Sequence, residues 1–307
     1  MVEGTSGGRF CFSGKGKTAT YPADVERNWT GDLITQTFPS VAAVLEAARF
    51  CDTANRQLWA NAYIVNEKRM IDAAERVRWY GLEPGPGAVR DALAQGWPEG
   101  VRRINEALAD LGDDIAPPQS VKRRRVRSDH GAEVDMSAYW RGRADIAWSD
   151  CRRTMTRAPQ VVTIAAQISA PGKTHSGDLF WRGAAVLKLA DLLTAAGYHV
   201  RIDAVRHVRH GYTDHPGRLL QRVTVKEATA PLDVESLAAV LCLSGFFRMF
   251  LIACMCSMLY KVQKGCGFTE RYQAAPGEVA GVERCTDAET ARAWIREQLE
   301  AITNANA

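Results

Sequence analysis

A strand, a helix and a second strand follow one another in the second half of the chain, and this order constrains the fold most. Residues 161–168, VVTIAAQI, form the continuous apolar run that is typical of a strand buried on both faces. Residues 178–196 show a helical pattern that Gly197 ends, and residues 199–205 alternate as a strand does. Because crossovers between parallel strands are right-handed in nearly all proteins, this unit predicts an α/β sheet.

The chain divides into three parts by composition and periodicity. Residues 1–38 show no apolar period, so we expect a loop-like start with one short strand at 9–12. From Ser40 onward, apolar residues at three- and four-residue spacing predict a mainly helical N-terminal region, which spans 1–114 with its loop-like start. Two prolines and dense charge make 115–157 a predicted basic linker and connecting segment. An α/β domain is then expected over 158–307.

Three further segments belong to this predicted α/β domain. Residues 219–227 are a third strand candidate, and Thr286-Asp287-Ala288-Glu289 is a capping box that opens a C-terminal amphipathic helix. Residues 237–260 are long and apolar enough to cross a bilayer, but Arg248 lies in the middle, where a charge is costly. We interpret this stretch as a buried core helix broken near Gly245, with a transmembrane span as the alternative.

Composition favours a cytoplasmic protein with one strongly basic segment. The 307 residues carry a formal net charge of +4, which by itself implies no polyanionic partner. The dense basic run supplies the candidate nucleic-acid contacts, which are Lys122, Arg123, Arg124, Arg125 and Arg127. A solvated linker, or pairing with the acidic residues around 110–114, is the alternative for this run. The eight cysteines include no Cys-x-x-Cys and no signal-peptide pattern precedes them, so we expect reduced thiols.

The segment SAPGKTHSGD lies between the first strand and the helix of this unit, where a phosphate-binding loop would be. Gly172, Lys173 and Thr174 match the end of the Gly-x-x-x-x-Gly-Lys-Thr pattern, whose backbone N–H groups and lysine hold phosphates. Gln167, however, occupies the position of the first glycine, and Pro171 removes a backbone donor from the loop. The pattern therefore favours another role for this strand-end loop over nucleotide binding.

The same loop has the layout of a strand-end cation site without its ligands. Gln167, Ser169 and Pro171 stand where von Willebrand A-like domains carry Asp-x-Ser-x-Ser, so the layout resembles that family. Hard cations need carboxylate oxygens, which an amide and a proline do not supply, so metal binding is not expected. The residues of this degenerate metal or ligand site are Gln167, Ser169, Lys173, Thr174 and Arg182, the last expected to face the crevice above the strands.

Three longer stretches extend the resemblance over most of the chain from about Ser40. They are GWPEGVRRI (96–104), GAEVDMSAYWRGRADIAW (131–148) and LFWRGAAVLKLADLLTAAGYHVRI (179–202). Together they resemble a family of bacteriophage and prophage proteins with a von Willebrand A-like C-terminal half. The resemblance implies a Rossmann-like three-layer α/β domain, expression in a bacterial cytoplasm and a protein-binding role, and it implies no catalytic residue.

Three other clusters of metal-ligating residue types have simpler explanations. They are His207, His210 and His215 with Asp214; the carboxylates Glu133, Asp135, Asp145 and Asp150; and Cys254, Cys256 and Cys266. We interpret the histidines as a strand end and solvated loop, with an anion or nucleic-acid contact as the alternative. The carboxylates fit helix caps and ion pairs, and the cysteines lack the close spacing of zinc ligands.

The sequence thus favours a non-enzymatic protein that binds another macromolecule, most simply a protein. No catalytic residue, cofactor or metal is expected. The alternative is a nucleic-acid-binding or nucleotide-dependent protein, which would use the basic run at 122–127 or the loop at 172–174.

Overall fold

The structure of the protein, a computed structural model, describes part of the chain. The described residues are 11–14, 17–20, 26–30, 33–54, 73–83, 86–110, 122–154, 161–210, 217–258 and 268–305. Several predicted features lie outside them: residues 55–72 of the predicted helical region, the loop at 211–216 with Asp214 and His215, and Cys266.

Strands and then helices make up the described N-terminal residues. The strands are β1 (Cys11–Gly14), β2 (Lys17–Thr20), β3 (Glu26–Thr30) and β4 (Leu33–Phe38). The helices are α1 (Val41–Ala54), α2 (Ala73–Tyr80), α3 (Pro86–Gln95) and α4 (Pro98–Asp110). Ser40 caps α1 as predicted, because its hydroxyl accepts a hydrogen bond from the Ala43 N–H at 3.2 Å.

A small antiparallel sheet follows. It consists of β5 (Lys122–Ser128), β6 (Glu133–Val134) and β7 (Trp148–Thr154), with α5 (Met136–Trp140) and a 3₁₀ turn (Ala144–Ile146) between β6 and β7. The strand order is β5-β7-β6. We call residues 122–154 the arginine-rich sheet.

The remaining elements form the α/β part of the molecule. The strands are β8 (Val161–Gln167), β9 (His199–His210), β10 (Gly217–Lys226), β11 (Phe268–Thr269) and β12 (Glu278–Val279). The helices are α6 (Ser176–Ala195), α7 (Val234–Cys242), a π-helix (Phe246–Leu251), α8 (Ile252–Met258), a 3₁₀ turn (Val282–Arg284) and α9 (Ala288–Ala305).

The central sheet is mixed and has the strand order β12-β8-β9-β10-β4-β3, with β11 also paired to β9. The pairs β12–β8, β8–β9 and β10–β4 are parallel, and the other pairs are antiparallel. The predicted β8-α6-β9 unit is therefore present, and β4-α1 with β10 supplies a second parallel pair. The fold is α/β, as the sequence predicts.

Helices pack against this sheet and bury its apolar residues. Ile164, Ile202, Ala204, Val223 and Phe38 belong to one hydrophobic core together with residues of α1, α6, α7 and α9. The helices α3 and α4 pack on the far side of α7 and complete this core. The protein is thus a mixed α/β fold in which helices flank a central sheet.

A row of polar side chains interrupts this core. Gln221 donates a hydrogen bond to the Gln36 side-chain oxygen at 2.8 Å and to the Leu251 carbonyl at 3.0 Å. Arg206 in turn donates to the Gln221 side-chain oxygen at 2.7 Å. All three side chains are fully buried, so the row connects β4, β10 and β9 inside the protein.

The predicted loop over residues 1–38, with one short strand at 9–12, is only partly right for its described part, because β1 overlaps the expected strand at 11–12 but three further strands also lie there. In β4 every second residue is buried, namely Ile34, Gln36 and Phe38. This period of two is a strand pattern, but a glutamine at a buried position hides it from sequence inspection. Since β4 pairs with β10, the central sheet takes strands from both ends of the chain.

The predicted linker is wrong where it covers the basic run, because residues 122–128 form β5. This strand pairs along its whole length with β7. Charged residues are rare in strands and show no apolar alternation here, so the backbone pairing could not be seen in the sequence.

The apolar stretch at 237–260 is broken, as predicted near Gly245. The helix α7 ends at Cys242, and the chain continues as the π-helix after a bend of 60°. Among the described residues no single helix is long and apolar enough to span a membrane. The two pieces on either side of this bend, taken together, have the length and composition of a membrane span.

Two smaller features concern the helices α9 and α6. Asp287, not Thr286, caps α9, because its carboxylate accepts a hydrogen bond from the Thr290 N–H at 2.8 Å. Gly183 lies against α7, since a Cβ at this position would be 2.8 Å from the Leu241 carbonyl oxygen. The absence of a side chain lets α6 and α7 approach closely.

Candidate functional site

Gln167, the last residue of β8, ties the strand end to the segment after β11. Its side-chain nitrogen donates to the Glu270 carbonyl at 2.7 Å and to the Ser169 hydroxyl at 3.3 Å. Its side-chain oxygen accepts from the Tyr272 N–H at 2.7 Å. Gln167 and Ser169 are both fully buried. The structure therefore uses the amide to join two segments of chain.

Arg182 brings a positive charge to the same place. Its guanidinium donates to the Ser169 carbonyl at 3.4 Å, and its Nε has no hydrogen-bond partner among the described residues. Arg182 and Gln167 line a small cavity of about 10 Å³, which is the size of one water molecule. Burial lowers the pKa of Arg182, and the nearby Glu283 carboxylate opposes this effect. A guanidinium thus lies close to the place where the family resemblance puts a cation.

The Gly-Lys-Thr loop is folded on itself. The Thr174 N–H donates to the Pro171 carbonyl at 2.9 Å, whereas in a phosphate-binding loop such N–H groups face the ligand. The Thr174 carbonyl accepts a hydrogen bond from Arg248 at 2.9 Å. Lys173 is exposed. The loop lies at the carboxyl end of β8 as expected, but its hydrogen bonds serve the fold.

Sequence reasoning noted Arg248 as a charge within an apolar run but did not place it in this region. It lies in the π-helix, is 1 % exposed, and donates to the carbonyls of Trp79 at 2.8 Å and Arg78 at 3.4 Å as well as to Thr174. Its guanidinium also stacks 4.3 Å from the centroid of the Trp79 ring. A buried arginine in the middle of an apolar run is the signal that could have identified it.

The described members of the candidate metal clusters form no metal site. Among the described residues no group of three or more His, Cys, Asp or Glu side chains is placed to hold a metal ion. His207 lies within β9, not in a loop, and its ring is 3.7 Å from the Glu270 carboxylate. Cys254 is buried. Cys285 is also buried, and burial raises the pKa of its thiol to about 12. These cysteines are core residues.

The arginine-rich sheet aligns its basic residues in pairs. The register places Arg123 opposite Arg153 and Arg124 opposite Arg152. Like charges directly opposite each other destabilise a strand pair. Residues 122–154 contain nine Lys or Arg and five Asp or Glu, so they carry the whole net charge of the protein. The basic run predicted as a linker is thus half of a cationic two-stranded ribbon.

Aromatic side chains project from the same small sheet. Trp140 is 78 % exposed and Tyr139 is 47 % exposed, and their rings meet edge to face with centroids 6.1 Å apart. Met136, at the other end of α5, is also exposed. Large exposed aromatic residues are uncommon outside binding surfaces.

Two of the candidate carboxylates, Asp135 and Asp150, have structural partners, as the simpler interpretation expects. Asp135 caps α5 by accepting from the Ser137 N–H at 3.0 Å and the Ala138 N–H at 3.2 Å. Its ion pair is with Arg127, at 3.6 Å. Asp150 accepts from the Ala132 N–H at 2.7 Å.

Comparison with known proteins gives a family but no characterised relative. No curated protein and no solved structure matches the chain. A family described as a domain of unknown function, DUF7192, matches residues 20–303 of the 307. This match spans the central sheet, its helices and the arginine-rich sheet. The chain therefore belongs to the DUF7192 family.

Proposed function

We propose that the protein is a non-enzymatic nucleic-acid-binding protein and that the arginine-rich sheet, residues 122–154, is its contact surface. The observation that carries the proposal is the strand register, which aligns Arg123 with Arg153 and Arg124 with Arg152. An isolated sheet gains nothing from opposed positive charges, whereas a phosphate backbone lying along one face of the ribbon would neutralise the pair on that face, since successive pairs lie on opposite faces.

The exposed aromatic pair indicates which form of nucleic acid is bound. Proteins that bind single strands combine a positively charged path for the backbone with aromatic rings on which bases stack. Trp140 and Tyr139 supply such rings next to the ribbon, in the segment that connects β6 to β7. The bases of double-stranded DNA stay stacked inside the duplex and are not free to stack on these rings. We therefore infer a preference for single-stranded RNA or DNA.

Charge distribution supports this choice over a protein partner. The rest of the chain contains 30 Lys or Arg and 30 Asp or Glu, so the positive charge is concentrated in the arginine-rich sheet. A phosphate backbone is the common cellular ligand that matches such a concentrated charge. A protein-binding role remains compatible with the exposed Trp140 but leaves the opposed arginines unexplained.

The test is fluorescence anisotropy with labelled single strands of about 16 nucleotides and the matching duplexes. We expect single-strand binding that weakens steeply between about 50 and 200 mM salt. Replacing Arg123 and Arg124 by Ala should reduce both the affinity and the salt slope, by about 0.7 for each phosphate that is no longer neutralised. Trp140→Ala should weaken single-strand binding by about 1 to 3 kcal/mol and leave the salt slope unchanged.

Two matched variants control for general effects. Arg102→Ala removes an exposed arginine of α4, and Phe268→Ala removes an exposed aromatic ring of β11. Neither should alter binding. Absence of binding at low salt, or equally weakened binding in these controls, would contradict the proposal.

We also propose the finer fold assignment and origin that the sequence resemblance implies. The β8-α6-β9 unit with its strand-end loop supports a von Willebrand A-like arrangement, in which Arg182 takes the place of the cation. A bacteriophage or prophage origin and a bacterial cytoplasmic location accompany this proposal. A solved structure with recognisable strand order and loop geometry tests the fold, and genomic neighbours test the origin.

A further inference from the structure

A groove of about 530 Å³ lies where β4 and β10 end and α1 and α7 begin. These two strands are parallel neighbours, and ligands of open α/β sheets bind at the carboxyl ends of parallel strands. The volume is within the usual range for small-molecule sites. The apolar part of the wall comes from Val41, Leu93, Val225, Leu237 and Val240.

One end of the groove carries a buried ammonium group. Lys226 is 5 % exposed, and its Nζ donates to the carbonyls of Val200 at 2.7 Å and Glu227 at 3.1 Å. Both acceptors are neutral, and they serve two of the three N–H bonds. Among the described residues no carboxylate forms an ion pair with it. Burial lowers the pKa of Lys226, as expected for a charge that has no counter-charge.

The first turn of α1 contributes a second positive feature to the groove. This 14-residue helix has no acidic residue in its first turn, and Ser40 satisfies only the Ala43 N–H. Ala42, which is exposed, lines the groove at this point. The N-terminal end of a helix carries a partial positive charge, and here no acidic side chain of the first turn offsets it.

The two carboxylates at the groove are already engaged. Asp233 caps α7 by accepting from the Ser236 N–H at 3.2 Å and its hydroxyl at 2.7 Å, and these bonds lower the pKa of Asp233. Glu227 is 3.9 Å from the Arg201 guanidinium. The acidic groups therefore have partners of their own, whereas the partners described for Lys226 and for the start of α1 are all uncharged.

We propose that this groove binds a small organic carboxylate with an apolar body. The carboxylate lies between Lys226 and the first turn of α1, and the apolar body lies along the wall formed by Leu93, Leu237 and Val240. A ligand of this kind supplies the missing negative charge and covers the apolar wall at once. This site is separate from the arginine-rich sheet, so each proposal can fail without the other.

Calorimetric titration and thermal unfolding with octanoate test the inference in the full-length protein. The controls are octanamide, which has a similar apolar body without the charge, and inorganic phosphate, which has charge without the body. We expect octanoate to bind and to raise the melting temperature, and both controls to bind at least about tenfold more weakly.

Ala42→Glu and Ala42→Gln form a matched pair of variants that distinguishes binding from folding. An acidic residue in the first turn stabilises a helix, so Ala42→Glu should unfold at a slightly higher temperature than Ala42→Gln. The same carboxylate fills the place of the ligand, so Ala42→Glu should weaken octanoate binding about tenfold or more. Ala42→Gln should change binding only slightly, and Lys226→Met should weaken it as Ala42→Glu does.

Each contrary result overturns the inference. If octanoate does not bind, or octanamide binds equally well, no carboxylate site is present. If phosphate binds as tightly as octanoate, the apolar wall has no role. If Ala42→Glu and Ala42→Gln bind octanoate equally, the ligand lies elsewhere.

Discussion

Arg248 donates a hydrogen bond from its guanidinium to the backbone carbonyl of Thr174, 2.9 Å away, and so connects the π-helix to the strand-end loop of β8. The same side chain bonds to the carbonyl of Trp79 at the end of α2. A π-helix turn is rare, and such turns are often kept where a particular side chain must be placed. Here the turn delivers one arginine to two distant segments of chain.

The first prediction concerns this connection. Arg248→Met fills a similar volume but leaves the buried carbonyls of Trp79 and Thr174 with fewer donors. We expect the free energy of unfolding to fall by about 2 to 4 kcal/mol, measured by denaturant titration. Arg102→Met, on the exposed face of α4, should change it by less than about 0.5 kcal/mol. Equal effects would show that the buried hydrogen bonds contribute little.

Two glycines of α6 should respond in opposite ways to substitution by alanine. A Cβ at Gly183 would press against the Leu241 carbonyl and the Cys242 sulfur, whereas a Cβ at Gly177 meets nothing within 4 Å. Gly183→Ala should lower the free energy of unfolding by about 2 kcal/mol or more, because the helices must separate. Gly177→Ala should leave the free energy of unfolding unchanged or raise it by at most about 1 kcal/mol. Melting temperatures of the two variants decide the question, and similar values would contradict the close approach of α6 and α7.

Acid sensitivity should depend on Glu278 in β12. Burial alone would raise the pKa of this carboxyl group, but hydrogen bonds from the Tyr272 hydroxyl, Arg222 and the Ala275 N–H hold it below its ordinary value of 4.5. A carboxyl group with a lowered pKa stabilises the folded state above about pH 4.5, and this stabilisation is lost as the pH falls through its folded-state value.

Glu278→Gln should therefore be less stable than the wild type near pH 7, by about 1 kcal/mol. The difference should shrink as the pH is lowered below about 4.5, because the wild type then loses the charge that the variant lacks. Urea titrations at several pH values measure it. A difference that stays constant across this range would show that the charge of Glu278 is not involved.

Restoring a carboxylate at the strand end should not restore a metal site. In Gln167→Glu the donor to the Glu270 carbonyl is removed, so we expect the free energy of unfolding to fall by about 1 to 3 kcal/mol. Magnesium should not recover the stability, because Arg182 already places a positive charge beside this position. A rise in melting temperature with added Mg²⁺ in the variant, absent from the wild type, would contradict this account.

The elements that the sequence predicts well are those in which one face or both faces are apolar. The apolar run of β8, the helical period of α6 and the N-cap at Ser40 all appear in the structure with nearly the expected bounds. The break near Gly245 was also predictable, because Arg248 and the Ser-Gly pair interrupt an otherwise apolar helix. In these elements the apolar residues that the sequence pattern places on a buried face are buried in the structure.

The elements that the sequence missed are stabilised by residues distant in the chain. Gln36 makes β4 look like a loop, and its burial is possible only because Gln221 bonds to it. The strand β5 shows no apolar alternation, and only its pairing with β7 defines it. Two residues of the candidate strand-end site, Gln167 and Arg182, lie together, and both donate hydrogen bonds to backbone carbonyls. The sequence pattern gives no sign of these bonds, because their acceptors are backbone atoms.

The hydrogen bond between Gln36 and Gln221 joins residues 185 positions apart, so the two strands that carry them are synthesised at different times. On a ribosome that adds about 5 to 20 residues per second, β4 emerges about 10 to 40 seconds before the strand it must pair with. During that time its exposed backbone edge is open to other chains. Newly synthesised protein should therefore depend on chaperones until residue 223 has left the exit tunnel, and truncated chains that end before β10 should aggregate.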